Sequence, residues 1–191
     1  GALWNEAAKA YENVGGKQYL RVLEFDVKTE QWTGRHRKYV LEANHHAIGD
    51  FNMIDGNMGL IIERDNGEGT ADKACPADQK RTDCFHDLAK FKRVYKIEMS
   101  DAYVGGEIRK IGYIDLMNIQ DPQRLARKPL TNGVLTFPFF TIENVDVVDR
   151  VAGIIVVGYD NNLPFSSSRD PKKADDNELV LLQVEALLKA R

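Results

Sequence analysis

Apolar and polar residues alternate along most of the chain with the two-residue period of a strand that buries one face. Residues 19–27 (YLRVLEFDV) alternate, Lys28-Thr29-Glu30 turns them, and residues 31–41 return. This predicts a hairpin. Residues 52–63 predict a second strand pair, turning at Asp55-Gly56-Asn57, because Asp-Gly is a strong hairpin signal. Residues 91–99 and 108–117 predict a third pair around Val104-Gly105-Gly106. Residues 142–148 and 153–159 predict a fourth. A last strand is expected over 178–184, then a helical turn over 185–191. The polar stretches 66–88, 118–138 and 163–177 read as loops, and residues 5–10 as one helical turn stopped by Gly15-Gly16. About nine strands with almost no helix make an all-β chain.

Two of these units share a plan. Residues 48–66 (IGDFNMIDGNMGLIIERDN) lie over residues 142–162 (IENVDVVDRVAGIIVVGYDNN). Ile48 then meets Ile142, Asp50 meets Asn144, Asp55 meets Asp149 and Gly59 meets Gly153. One extra residue in the later copy brings Asp65-Asn66 onto Asp160-Asn161, so the offset rises from 94 to 95. A two-stranded unit cannot bury its own apolar face, so its repetition implies stacked neighbours. Antiparallel four-stranded units every ~45 residues have the blade size of a β-propeller. An offset of two blades favours that architecture over a β-sandwich. The expectation is a partial β-propeller with about half of its blades, around 17–66, 67–120 and 121–188.

Composition narrows the functional classes. The chain has 191 residues, 43% hydrophobic and 29% charged, with a net charge of −3. These values suit a soluble globular domain able to bury a sizeable core. The acids and bases are interspersed, so no clustered basic face announces a nucleic-acid partner. Arg35-His36-Arg37-Lys38 reads as a solvated hairpin end. No apolar run approaches the ~18 residues of a membrane span. The chain opens on Gly-Ala-Leu-Trp without Met, leader or cap, and is expected to be processed or truncated.

Cys75 and Cys84 lie in the polar stretch CPADQKRTDC, with only His86 close by. Zinc wants four ligands and a redox motif wants CxxC. A local disulfide closing the 66–88 loop is therefore read in preference to free thiols. It places the protein in an oxidising compartment, secreted or periplasmic.

The candidate chemistry gathers at strand ends. A strand ending in Asp-Asn presents oxygens that suit a hard cation such as Ca²⁺, although Asp-Asn also makes an ordinary turn. The candidate metal ligands are Glu143, Asp160, Asn161 and Asn162 in the later unit, with Asp50, Glu63 and Asp65 in the earlier one. Such an ion polarises a phosphate or ester oxygen and orients a water. Arg64 is a candidate clamp for a substrate phosphate, or else an ion-pair partner of Asp65 or Glu63. Of His45 and His46, one is a candidate general base, the alternative being a turn residue. There is no GxSxG. Ser166-Ser167-Ser168 and Asp175-Asp176-Asn177-Glu178 read as solvated loop residues.

Four stretches, IGDFNMIDGNMGLIIERDN, RVYKIEMSD, KIGYIDLMNI and IENVDVVDRVAGIIVVGYDNNLPFSSSR, resemble the esterase-like phytase domain family. Glu63-Arg64-Asp65 looks like the family's strand ending, and Glu143 like the acid opening a late blade. Asp160-Asn161-Asn162-Leu163 and the leucine run of 179–184 look like its closing elements. The resemblance covers about residues 20–188, the C-terminal part of the domain. It implies a secreted or periplasmic β-propeller that hydrolyses a small-molecule phosphate or carboxylic ester with Ca²⁺ assistance. Another chain or a missing segment is then expected to complete the ring. A non-catalytic β-propeller binding module and a calcium-dependent lactonase-like enzyme are the alternatives.

Overall fold

In the computed structural model, which describes residues 2–163 and 165–191, the alternating segments become strands of five antiparallel sheets. The first is a small ladder, β1 (Trp4–Asn5) with β2 (Ala10–Tyr11). It replaces the helical turn expected over 5–10. Lys9 there sits at φ 50, which a right-handed helix excludes, and Asn5 Oδ1 accepts the Ala8 amide to close the reversal.

β3 (Asn13–Val14), β4 (Lys17–Asp26) and β5 (Gln31–Val40) form the second sheet. β6 (Ala47–Met53), β7 (Met58–Arg64), β8 (Lys92–Glu98) and β9 (Arg109–Asp115) form a four-stranded meander. β10 (Ile119–Gln120) pairs with β11 (Val134–Leu135). β12 (Ile142–Asp149), β13 (Ile154–Tyr159) and β14 (Glu178–Gln183) form the last sheet, followed by the short helix α1 (Glu185–Lys189).

The expected divisions at 17–66, 67–120 and 121–188 are not the sheet divisions. β6 and β7 join β8 and β9 across the long 65–91 connection rather than joining β4 and β5. Hairpins are legible locally, but which hairpins share a sheet is set by long-range pairing.

β7 is buried at every position but its first. Because successive side chains leave a strand on opposite faces, one buried strand feeds two cores. Leu60 and Ile62 enter a core with Val94, Phe139, Ile142, Ile155 and Val157. Ile61 enters another with Tyr39, Leu41, Tyr95 and Ile97. The β6–β9 sheet is thus the middle layer between β3–β5 and β12–β14. Among the described residues these sheets do not close into a barrel or ring.

The two sequence repeats become neighbouring hairpins with matching details. Asp55 Oδ1 accepts the amides of Asn57 (2.9 Å) and Met58 (2.8 Å). Its counterpart Asp149 accepts those of Val151 (2.9 Å) and Ala152 (2.8 Å). β6 and β12 each carry an irregularity just after the matched Ile48 and Ile142. They lie side by side. Asp50 Oδ2 accepts the Val145 amide at 2.8 Å, and Asn52 Nδ2 donates back to the Val145 carbonyl. Gly49 packs so tightly that a Cβ there would sit 1.8 Å from the Ile142 oxygen.

Cys75 and Cys84 are disulfide-bonded, as the sequence suggested. The loop they close also packs the Phe85 ring onto Gly69. Among the described residues no helix is long and apolar enough to cross a membrane.

Candidate functional site

The end of β7 carries the sequence Glu63-Arg64-Asp65, all three buried. Strand alternation sends Glu63 towards β5 and Arg64 towards the opposite layer. They therefore build two different environments.

Glu63 is 0% exposed and fully hydrogen-bonded. Its Oε1 accepts the Glu42 amide (2.6 Å) and faces His46 Nδ1 (2.8 Å). Its Oε2 accepts the Tyr39 hydroxyl (2.7 Å) and the Lys110 ammonium (3.0 Å). β5 supplies Tyr39, the β5–β6 loop supplies Glu42 and His46, and β9 supplies Lys110. A carboxylate cannot donate, so His46 presents Nδ1–H to Glu63, and in the neutral ring the lone pair is then on Nε2. Among the described residues Nε2 has no hydrogen-bond partner, and it is not among the fully buried unpartnered atoms. The His46 side chain is otherwise only 6% exposed, held between Phe91 (centroids 4.2 Å apart) and His45 (4.8 Å). His45 itself is exposed.

Cations and rings surround this pair. Lys110 lies 4.5 Å from the Tyr39 and Tyr95 ring centres and also pairs with Glu42 at 2.7 Å. Arg93 shares the Phe91 ring with His46, stacks 3.9 Å from the Tyr113 centre and donates to the Tyr95 hydroxyl at 3.1 Å. Burial, and then the Glu63 charge, pushes Tyr39 far above the usual tyrosine range. Burial pushes Tyr95 up to about 12. Burial is the largest influence on the Glu42 carboxyl and works to raise it, but the Lys110 bond, the Lys110 and Lys17 charges and the Tyr95 hydroxyl together hold the group below its ordinary value.

On the other face, Arg64 forms no ion pair with Asp65 or Glu63. Its Nη1 donates to Asn66 Oδ1 at 2.8 Å, and its guanidinium stacks 4.7 Å from the Phe140 ring centre. Asp65 is taken by Lys92, which is 0% exposed. The ammonium sits 2.7 Å from Asp65 Oδ1, off the hydrogen-bond direction, and donates to the carbonyls of Asp65 (2.9 Å) and Gly67 (2.7 Å). Asp65 Oδ2 accepts the Lys90 and Phe91 amides.

The structure thus brings together His46 and Glu63, with His45 alongside, and separates them from Arg64 by the thickness of a strand. The expected metal ligands do not converge. Asp50 accepts the amides of Phe51 and Val145, and Glu63 and Asp65 are occupied as above. Glu143 and Asp160 are exposed. Asp160 Oδ1 accepts the Asn162 amide, Asn161 holds the Asp175 carbonyl, and Asn162 takes φ 45, so this stretch forms a turn. Among the described residues no group of three or more His, Cys, Asp or Glu is placed to hold a metal ion. Carboxylates already committed to protein donors do not fit Ca²⁺ as the ligand set read from the sequence.

Two loop readings change. Ser166 and Ser168 are buried, and Ser168 Oγ donates to Glu68 at 2.9 Å. Asp175 and Glu178 are buried too, Asp175 accepting the Tyr159 hydroxyl (2.8 Å) and Glu178 accepting Nε and Nη2 of Arg169 (2.6 and 2.8 Å). Arg37, read as part of a solvated hairpin end, is buried mid-strand on Glu24. A groove of about 1060 Å³ runs along β14 beside Leu179 and Leu181, and none of the candidate site residues lines it.

Sequence reasoning missed Tyr39, Glu42, Lys92 and Lys110. One signal pointed to them: an unbroken apolar run, Leu60-Ile61-Ile62, leading straight into three charges. A strand buried on both faces carries its terminal charges into the interior, where each needs a partner.

The architecture defines an all-β protein of stacked antiparallel sheets with a buried carboxylate–histidine pair at one strand end. Residues 1–163 match the phytase-like family, described as the esterase-like activity of phytase, and the chain belongs to that family. No curated protein and no solved structure gives a significant match.

Proposed function

We propose that the chain carries a hydrolytic centre for a small carboxylic or phosphate ester, with His46 as general base. The observation that carries this is Glu63, fully buried and fixing His46 by Nδ1 at 2.8 Å while Nε2 is left without a partner among the described residues. A water at Nε2 gives its proton to the imidazole as its oxygen attacks the ester carbon or phosphorus. Glu63 stabilises the imidazolium that forms, and the same proton then passes to the leaving alcohol oxygen. Arg93, over the Phe91 ring that His46 also packs against, supplies positive charge near the site for the developing oxyanion. The family's description supports a hydrolase-like role.

In this reading the stacked sheets are consecutive blades of a β-propeller that another segment or chain completes. The disulfide supports an oxidising location, secreted or periplasmic. Calcium is assigned no step, and EDTA is expected to leave turnover unchanged. One observation favours the binding-module alternative: all four Glu63 contacts are satisfied, as a purely structural network also requires.

The test is hydrolysis of p-nitrophenyl acetate, p-nitrophenyl phosphate and a simple lactone, with and without EDTA. His46→Gln is expected to lose roughly 10²-fold or more, while His45→Gln keeps most activity. Full activity in His46→Gln overturns the assignment. Absence of turnover on all three substrates favours the binding module.

A further inference from the structure

We propose that Arg64 and Phe140 form an anion-binding site, separate from His46, that takes a carboxylate or phosphate group. It lies on the opposite face of β7 and does not rest on the hydrolytic reading.

The argument starts from an uncompensated charge. Arg64 is 8% exposed, and a guanidinium taken out of water needs a counter-charge or a full set of acceptors. Arg37, 7% exposed in the same chain, has one: Glu24 at 3.1 Å. Arg169 has both carboxylate oxygens of Glu178. Arg64 has no carboxylate within ion-pair distance among the described residues. The acids beside it in sequence are committed elsewhere, Glu63 to four donors and Asp65 to Lys92 and two amides.

Its hydrogen bonds are incomplete as well. Nη1 donates to Asn66 Oδ1 at 2.8 Å and grazes the Asp65 carbonyl at 3.5 Å. Nε is sealed without a partner. Nη2 makes no hydrogen bond to any described residue and is not among the fully buried unpartnered atoms. The Phe140 ring fixes the guanidinium plane at 4.7 Å and is itself 38% exposed. A donor edge of fixed orientation beside a part-exposed ring suits an oxyanion carried on an apolar group.

The exposed Glu143 is the remaining neighbour. Burial lowers the proton affinity of Arg64, and the Glu143 charge is the first influence opposing it. Glu143 is not within ion-pair range, so it acts at a distance, standing where a bound anion would feel its repulsion. This gives the site a signature with a definite sign: removing the Glu143 charge strengthens anion binding.

The experiment titrates folded protein with sodium phosphate or sodium acetate, against sodium chloride at matched ionic strength. Arginine side-chain NMR resonances are the readout. Wild type is expected to saturate with phosphate or acetate and not with chloride. Preference for phosphate names a phosphate group, and preference for acetate names a carboxylate. Arg64→Met is expected to lose roughly tenfold or more in affinity, the worth of a charge-assisted bond. Glu143→Gln, at an exposed position, is expected to gain roughly threefold, the scale of a surface charge interaction. His46→Gln is expected to bind as wild type. Where Arg64→Met does not fold, Glu143→Gln and Arg64→Lys keep the test open. Equal responses to all three salts, no gain in Glu143→Gln, or loss of binding in His46→Gln each overturn the proposal. Loss of ester hydrolysis alone leaves it standing.

Discussion

Replacing Glu63 with Gln probes the network from its centre. The amide keeps the shape but turns one acceptor oxygen into a donor. If the new NH₂ takes the Oε1 place, it faces the Glu42 amide and His46 Nδ1. His46 can change tautomer and accept, but the Glu42 N–H cannot. If it takes the Oε2 place, it faces the Tyr39 hydroxyl and Lys110. The hydroxyl can turn to accept, and Lys110 keeps Glu42 at 2.7 Å. The second orientation costs less: one charge-assisted bond, about 1.5–3 kcal/mol, and a weaker neutral acceptor for His46, about 1 kcal/mol. The expected loss is about 2.5–4 kcal/mol, tolerable within a typical total of about 5–15 kcal/mol. Urea unfolding should show a lower midpoint at unchanged slope. The same variant should slow ester hydrolysis, because a neutral amide stabilises the imidazolium formed in the reaction less. A loss below about 0.5 kcal/mol, or an unchanged rate of hydrolysis, would refute the claim that Glu63 both holds the layers together and orients His46.

Lys92→Met should cost about 3–5 kcal/mol, the price of stranding a buried carboxylate, because Asp65 and two carbonyls lose their partner; a urea midpoint within error of wild type would contradict this. Reducing the Cys75–Cys84 bond should cost about 2–3 kcal/mol for so short a loop, measured with and without reductant, and a loss near zero would show that Phe85 packing alone orders the loop. Alkaline pH should unfold the chain through its buried tyrosines. Tyr39, Tyr95 and Tyr159 are all raised by burial above their ordinary value of 10.0, so the folded state keeps protons that the unfolded state releases. Their contribution is full below pH 10.0 and is lost as pH rises, for Tyr95 between 10.0 and about 12. Lys92, lowered by burial, runs the other way, favouring the fold as pH rises towards 10.5. Above that pH only the tyrosine effect remains, and stability that still rises there would contradict the burial described.

The strands were legible because alternation is a local property. A residue's face follows from its neighbours two positions away, whatever the rest of the chain does. The paired turns at Asp55 and Asp149 were legible for the same reason, since each aspartate caps amides two and three residues on. So was the disulfide, whose partners are nine positions apart. The turn over 5–10 misled because a helical turn and a tight reversal share residue types at that length. Their difference lies in one left-handed residue, Lys9.

By itself, then, the sequence determined an all-β chain, its hairpins, one repeated unit and its one covalent link. Only the tertiary structure decided that β6 and β7 join β8 and β9, and that β7 is buried on both sides. That burial turned the expected metal ligands Glu63 and Asp65 into anchors for His46 and Lys92. The physical reason is distance along the chain. The groups that satisfy Glu63 come from 17 to 47 positions away, and a buried charge takes whichever partner the packing of layers brings to it.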